Sequence, residues 1–195
     1  MITRTFRMRF CLVLSLFIGL SCCPGWTADK ELPNSSKVTI GGEDGTIEPE
    51  VELNIGDPAP DFTLPNLSTD KMESLRDYLG KPVIVFFIQS ACYSCLQEAK
   101  AMKALKEKFS DLEVIAIGVD LLGKPMLVSW AAHNNLNYPV LLDPIFAVPE
   151  KYGFSYTPSS VVIDQKGKIA MIHSGFRASD MELFEKKVTE LLGMQ

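Results

Sequence analysis

Pro82-Val-Ile-Val-Phe-Phe-Ile-Gln-Ser-Ala-Cys-Tyr-Ser-Cys95 is the stretch on which the fold turns. Residues 82–88 form a continuous apolar run rich in β-branched and aromatic side chains. Such a run predicts a central strand, buried on both faces of a sheet. Beyond it, the apolar positions Cys95, Ala99, Met102, Leu105 and Phe109 recur at spacings of 4, 3, 3 and 4. That period predicts a helix over Tyr93–Lys108 with one buried face. Cys92 and Cys95 stand where strand gives way to helix, four residues after the apolar run.

This placement carries chemistry. Free amide N–H groups and the helix dipole at a helix N-terminus favour an anion. Cys92, at or before the first turn, is therefore expected to be the low-pKa thiol that attacks disulfides. Cys95, one turn further in, is expected to be more buried and to resolve the mixed disulfide that Cys92 forms. Two intervening residues bring the sulfurs within bonding reach without unwinding the helix. Two plainer readings stand beside this one. A structural disulfide so short would constrain little of the unfolded chain. Half of a zinc site would need two more ligands, and only His133 and His173 are available.

Working outward, Val114-Ile-Ala-Ile-Gly-Val119 predicts a second buried strand and residues 125–134 a helix. Pro139–Leu142 predicts a short strand and Phe146–Tyr152 a short helix. Ser160–Ile163 and Lys168–Ile172 flank a Gln-Lys-Gly turn and predict a hairpin. Ser179 and Glu182 match a capping box for a last helix that carries Met181, Phe184, Val188 and Leu191 on one face. Before the domain, Val51–Ile55 alternates and predicts an edge strand. Together these elements predict an α/β fold, a three-layer α/β/α sandwich with a mixed central sheet.

A second marker is Tyr156-Thr157-Pro158-Ser159, at the entrance to a strand. Proline cannot donate to a sheet ladder, so its place before a central strand is unusual. A cis Thr157–Pro158 bond would account for it, against the alternative of an ordinary X-Pro turn. In the cis form the loop could lie against the two cysteines and offer backbone groups to an extended substrate.

The composition sets limits. The chain has 195 residues, 47% hydrophobic, with a formal net charge of −5. The acidic balance argues against a nucleic-acid partner, which would require a basic footprint. The length is enough to bury a core without disulfide staples. Five cysteines resolve into two groups, Cys11, Cys22 and Cys23 near the start and Cys92 with Cys95 in the body.

Residues 1–23 carry Arg4, Arg7 and Arg9 with no acidic residue, followed by a short apolar run from Phe10 to Leu20. This is a secretory signal pattern, and the run is too short for a comfortable membrane span. Leu20-Ser-Cys-Cys23 resembles a bacterial lipobox, with Cys22 or Cys23 as the lipidated residue. Cleavage near Ala28 and an uncleaved anchor are the alternatives. The stretch 24–60 is rich in Pro, Gly and Ser and holds eight acidic residues against two lysines. Such a composition cannot offset the entropy of ordering. Residues 1–23 are accordingly read as a signal peptide, 24–50 as an acidic flexible linker and 51–195 as the folded domain.

The domain resembles the thioredoxin-like superfamily, in particular the TlpA/ResA-type exported thiol-disulfide oxidoreductases, relatives of the AhpC/TSA proteins. The resemblance spans about 51–195. It rests on Ile55-Gly-Asp-Pro-Ala-Pro-Asp-Phe-Thr-Leu64, Cys92-Tyr-Ser-Cys95, Tyr152-Gly-Phe-Ser-Tyr-Thr-Pro158 and Val162-Ile-Asp-Gln-Lys-Gly-Lys-Ile169. The helix and strand between Asp120 and Leu142 match that family's insertion into the thioredoxin core. The resemblance implies a Cys92–Cys95 disulfide, Cys92 as nucleophile, Cys95 as resolving thiol and a cis Pro158. It puts Glu98 at an acidic position where it raises thiol pKa values or relays protons; the plainer reading of Glu98 is a surface carboxylate. Thr157, Pro158, Tyr93 and Ser94 are assigned to substrate contact. Protein dithiols and disulfides are the implied partners, with apocytochrome thiols awaiting haem among them, as in cytochrome c maturation. A membrane electron donor or acceptor is implied too. Location is exported, at the periplasmic or extracytoplasmic face, with membrane contact only through the N-terminal segment. Neither metal nor cofactor is implied.

Three departures stand out. Ala91 replaces the usual tryptophan before the first cysteine, Ser94 replaces the usual proline before the second, and Phe86 occupies the place of the buried aspartate of thioredoxins. Two other readings compete on particular residues. A peroxiredoxin-like thiol peroxidase wants a proline and a Thr or Ser ahead of its cysteine, where this chain has Val85 and Gln89. A Sco-type copper module wants a histidine near the Thr157–Pro158 loop, for which His173 is the nearest candidate.

Overall fold

A computed structural model describes residues 53–121 and 123–194. The signal, lipidation and linker readings lie outside the described residues. The first elements form a small antiparallel hairpin, β1 (Thr63–Pro65) and β2 (Met72–Ser74), followed by a 3₁₀ turn over Leu75–Tyr78. The body comprises β3 (Val83–Ile88), α1 (Tyr93–Lys108), β4 (Glu113–Gly118), α2 (Lys124–His133), β5 (Val140–Leu142), α3 (Ala147–Lys151), β6 (Ser159–Ile163), β7 (Ile169–Ser174) and α4 (Met181–Leu191).

The central sheet has five strands in the order β5-β4-β3-β6-β7. Strands β3, β4 and β5 run parallel, while β6 and β7 run antiparallel to their neighbours. All six residues of β3 are buried, as expected of a central strand covered on both faces. Alternate side chains feed two cores. Ile84, Phe86 and Ile88 meet α1, Leu127 of α2 and Phe184 and Val188 of α4. Val83, Val85 and Phe87 meet Val148 of α3, the aromatic rings of Tyr152 and Phe154, and Phe62 and Leu75 from the N-terminal hairpin region. The layers are therefore helix, sheet, and a second layer of helix plus hairpin. Gly118 at the end of β4 lets α2 close on the sheet, since a Cβ there would lie 2.5 Å from the Leu127 side chain.

The structure departs from the sequence reading in three places. The hairpin of β1 and β2 was not anticipated. Residues 53–55 are not a strand; the edge pairing falls later, where Gly56 and Ala59 donate to Ile169 and Gly167 and Pro58 bridges Lys168. The Pro-Ala-Pro sequence breaks this pairing after a few residues. Ser179 does not cap the last helix. The chain enters α4 through a 3₁₀ turn over Ala178–Asp180, and the Ser179 hydroxyl donates to Asp180 Oδ1 instead.

Candidate active site

Three loops meet above the C-terminal ends of β3 and β4. The first, residues 89–92, leads from β3 into α1. Cys92 is the N-cap of α1 in extended backbone, and the Cys95 amide donates to its sulfur at 3.1 Å. The two cysteines are joined by a disulfide, with their Cα atoms 5.2 Å apart. Cys92 is half-buried and Cys95 fully buried. The Ser94 hydroxyl lies 3.4 Å from the Cys92 sulfur. Tyr93 projects outward, 74% exposed.

The second loop carries Tyr156, Thr157 and Pro158. The Thr157–Pro158 peptide bond is cis. The Thr157 carbonyl lies 4.0 Å from the Cys92 sulfur, and the Thr157 hydroxyl donates to Gln89 Oε1 at 3.3 Å. Thr157 is half-buried, but Pro158 is buried; its carbonyl accepts from the Gly175 amide at 2.8 Å. Within this loop the half-buried Thr157 and the exposed Tyr156 are the residues open to an incoming chain.

The third loop follows β4. Asp120, almost fully buried, accepts from the Ser90 amide at 2.8 Å and from the Ser90 hydroxyl. Sequence reasoning did not single out Asp120 as a site residue, and it named Gln89 and Tyr156 only as neighbours in their motifs. Leu121, next to Asp120, is 90% exposed.

Glu98 is not a surface carboxylate. It is fully buried beneath α1, and neither of its oxygens has a hydrogen-bond partner among the described residues. Burial pushes its carboxyl up to about 8; the nearby Ser160 hydroxyl works against that rise, and the Asp180 charge adds to it. Phe86 is likewise fully buried, packed edge-to-face on Tyr138 and paired in register with Ser160. The buried acid of this site therefore comes from α1, while β3 supplies an aromatic ring.

Other sequence candidates fall elsewhere. His133 is exposed at the end of α2. His173 Nε2 lies 3.2 Å from Asp180 Oδ2. Phe176 is buried against Phe184. Lys106 pairs with Glu113 at 2.8 Å and ties α1 to β4. Val85 is buried in β3 and Gln89 is engaged by Thr157, so neither presents the Pro and Thr/Ser of a peroxidatic loop.

The AhpC/TSA family model matches residues 55–172. The Thioredoxin-like protein YneN of Bacillus subtilis is 34% identical over 129 residues, 65% of this chain and 75% of the relative. The Thiol-disulfide oxidoreductase ResA of Bacillus thuringiensis is 28% identical over 186 residues, 94% of this chain and 95% of the relative. Among solved structures, a putative Thiol:disulfide interchange protein DsbE from Chlorobium tepidum aligns with a TM-score of 0.69 at 31% identity. It covers 73% of this chain and all of that one. With a cysteine pair joined at the start of α1 on a thioredoxin-like sheet, the chain belongs to the AhpC/TSA family as a thioredoxin-like protein thiol-disulfide oxidoreductase of the ResA type.

Proposed function

We propose that the protein is exported and exchanges disulfides with protein substrates through Cys92 and Cys95, on the extracytoplasmic side. The observation that supports this reading most is the contact of the Cys95 amide with the Cys92 sulfur, in front of the Thr157 carbonyl. In the reduced protein that amide and the helix dipole favour a Cys92 thiolate. The thiolate attacks one sulfur of a substrate disulfide. A Cys92–substrate bond forms, and the other substrate sulfur leaves with the electron pair. Cys95 then attacks Cys92, closes the internal disulfide and releases the second substrate thiolate. The substrate is reduced and the protein oxidised; the same steps in reverse oxidise a substrate dithiol. Thr157 offers its carbonyl to the substrate backbone, with Tyr93 and Ser94 beside it and the buried Pro158 fixing the loop. Glu98 takes the Cys95 proton.

The N-terminal segment 1–23 would deliver the domain across a membrane, with Cys22 or Cys23 lipidated. The acidic linker 24–50 would hold it off the surface, within reach of a membrane electron donor or acceptor. Apocytochrome thiols are the substrates favoured by the resemblance, in a chain of ResA type. The experiment is trapping in cells. Cys92→Ser abolishes exchange, and Cys95→Ser accumulates a mixed disulfide whose partner is identified by mass spectrometry. Failure of Cys95→Ser to capture any protein overturns the reading; capture of an apocytochrome fixes the substrate class.

A further inference from the structure

Buried Glu98 needs a route to solvent if it is to take and give up a proton, and one row of side chains leads outward from it. Phe86 of β3, Ser160 of β6 and His173 of β7 are cross-strand partners in register. Directly opposed residues share a face, with Cβ atoms about 4.5–5.5 Å apart. The shared face is that of α1 and α4. Phe86 packs there with Cys95 and Ala99, and the His173 ring sits edge-on to Phe184 at 5.3 Å. The Ser160 hydroxyl, close to Glu98, is buried and has no hydrogen-bond partner among the described residues. His173 and Asp180, at the outer end of the row, are 18% and 23% exposed. Asp180 is itself anchored by the Arg177 amide at 2.8 Å and the Ser179 hydroxyl at 3.3 Å. The groups around Glu98 are thus Cys95 on its own helix, Ser160 on β6, Asp180 before α4 and Tyr138 before β5, with His173 of β7 one step beyond Ser160 and Asp180. The Tyr138 hydroxyl is committed to the Ala99 carbonyl at 2.8 Å.

We propose that Ser160 and the His173–Asp180 pair are the proton path between Glu98 and solvent. The proposal rests on the oxidoreductase reading, which makes Glu98 the acceptor for the Cys95 proton. Glu98 first gives up its own proton along this path; in the resolving step the Cys95 S–H bond breaks and its proton passes to the Glu98 carboxylate. The sulfur's electron pair forms the Cys95–Cys92 bond, and the substrate sulfur leaves with the pair of the broken bond. Rotation about the single side-chain torsion of Ser160 would carry its hydroxyl from the carboxyl toward its cross-strand partner His173, whose Nδ1 is the ring nitrogen other than the one at Asp180. Ser160 accepts the Glu98 proton and passes its own to Nδ1. The imidazolium, held against the Asp180 carboxylate, releases a proton from Nε2 to water. Imidazole suits this terminal place because one ring nitrogen can accept a proton while the other donates one. Ser160 and His173 act through Glu98 and are positioning residues of the exchange reaction.

The test follows the reduced full-length protein mixed with oxidised glutathione and quenched in acid. Mass spectrometry reads the rise and decay of the Cys92–glutathione adduct. His173→Gln and Ser160→Ala are expected to slow decay relative to formation by about 100-fold at pH 7, the lower end of what positioned proton transfer contributes. Ser160→Thr keeps the hydroxyl and restores the decay, and free imidazole rescues His173→Ala. Decay at the wild-type ratio in His173→Gln and Ser160→Ala overturns the path, as does a slowing that neither Thr nor imidazole relieves. A second measurement separates this from failure of the oxidoreductase reading, which is an absence of Cys92-dependent adduct in the wild type. In the oxidised protein, carboxyl carbon NMR of Glu98 is expected to show its titration midpoint fall in Asp180→Asn. A midpoint unmoved by Asp180→Asn overturns the path whatever the exchange activity.

Discussion

Asp120 accepts hydrogen bonds from both the amide and the hydroxyl of Ser90, two residues before Cys92. The carboxylate ties the end of β4 to the loop that delivers the first cysteine to the helix N-terminus. Asp120→Ala removes a charged acceptor from two half-buried donors at once. Hydrogen bonds to charged groups contribute about 1.5–3 kcal/mol each. The variant is therefore expected to lose about 3–6 kcal/mol of stability and to react more slowly with small disulfides, because Cys92 is no longer held at the first turn. Ser90→Ala leaves the amide bond in place and is expected to lose less than half as much. Denaturant midpoints of the three proteins check the order; equal losses would remove Asp120 from this role.

Glu98 makes a prediction that needs no substrate. Its carboxyl is raised from 4.5 to about 8, chiefly by burial. Between those values the folded protein holds a proton that the unfolded chain has released. Stability must therefore fall as pH rises from 4.5 to about 8, and level off above. One unit of pKa difference corresponds to about 1.4 kcal/mol. Glu98→Gln removes this dependence. It is expected to unfold at a similar denaturant concentration to wild type near pH 4 and at a clearly higher one at pH 9. A wild-type curve parallel to that of Glu98→Gln across this range would refute the burial argument.

The Phe86–Tyr138–α1 contact supplies a third test. The Tyr138 hydroxyl donates to the Ala99 carbonyl at 2.8 Å, directly behind Glu98. Tyr138→Phe keeps the edge-to-face ring contact with Phe86. The Ala99 carbonyl is left with its helical bond. The loss is expected to be about 0.5–1.5 kcal/mol, the net worth of one ordinary hydrogen bond. Tyr138→Ala removes the ring as well and is expected to cost about 3–5 kcal/mol. Thermal unfolding of the pair separates hydroxyl from ring.

The strands and helices of the central sheet were legible because burial imposes their periods. The run at 82–88 is apolar without interruption because β3 is covered on both faces, and the stripe from Cys95 to Phe109 marks one face of α1. Glu98 was half legible. It lies three residues after Cys95 and four before Met102, on the buried stripe, yet a carboxylate there reads as surface until packing places it inside. Asp120 was not legible, since its partner Ser90 is 30 residues away and only parallel pairing of β3 and β4 brings them together. The β1–β2 hairpin escaped notice because strands of three residues carry too little alternation to register.

The last prediction concerns what the site selects. Tyr93, Leu121 and Tyr156 are 74%, 90% and 56% exposed. Each projects from one of the three loops that meet at Cys92, held together by the Ser90–Asp120 and Gln89–Thr157 hydrogen bonds. A small disulfide is expected to reach the Cys92 sulfur with less contact to them than a polypeptide makes. Aromatic and large apolar side chains around a reactive centre are where truncation costs most in a protein contact. Replacing Leu121 and Tyr156 together by serine is therefore expected to lower the ratio of the rate on disulfide-bonded insulin to the rate on oxidised glutathione by about tenfold. That factor is about 1.4 kcal/mol of transition-state contact. The measurement is a pair of initial rates at one pH and one protein concentration. An unchanged ratio would mean that the substrate chain is held by the Thr157 backbone alone, and that the apolar rim takes no part in recognition.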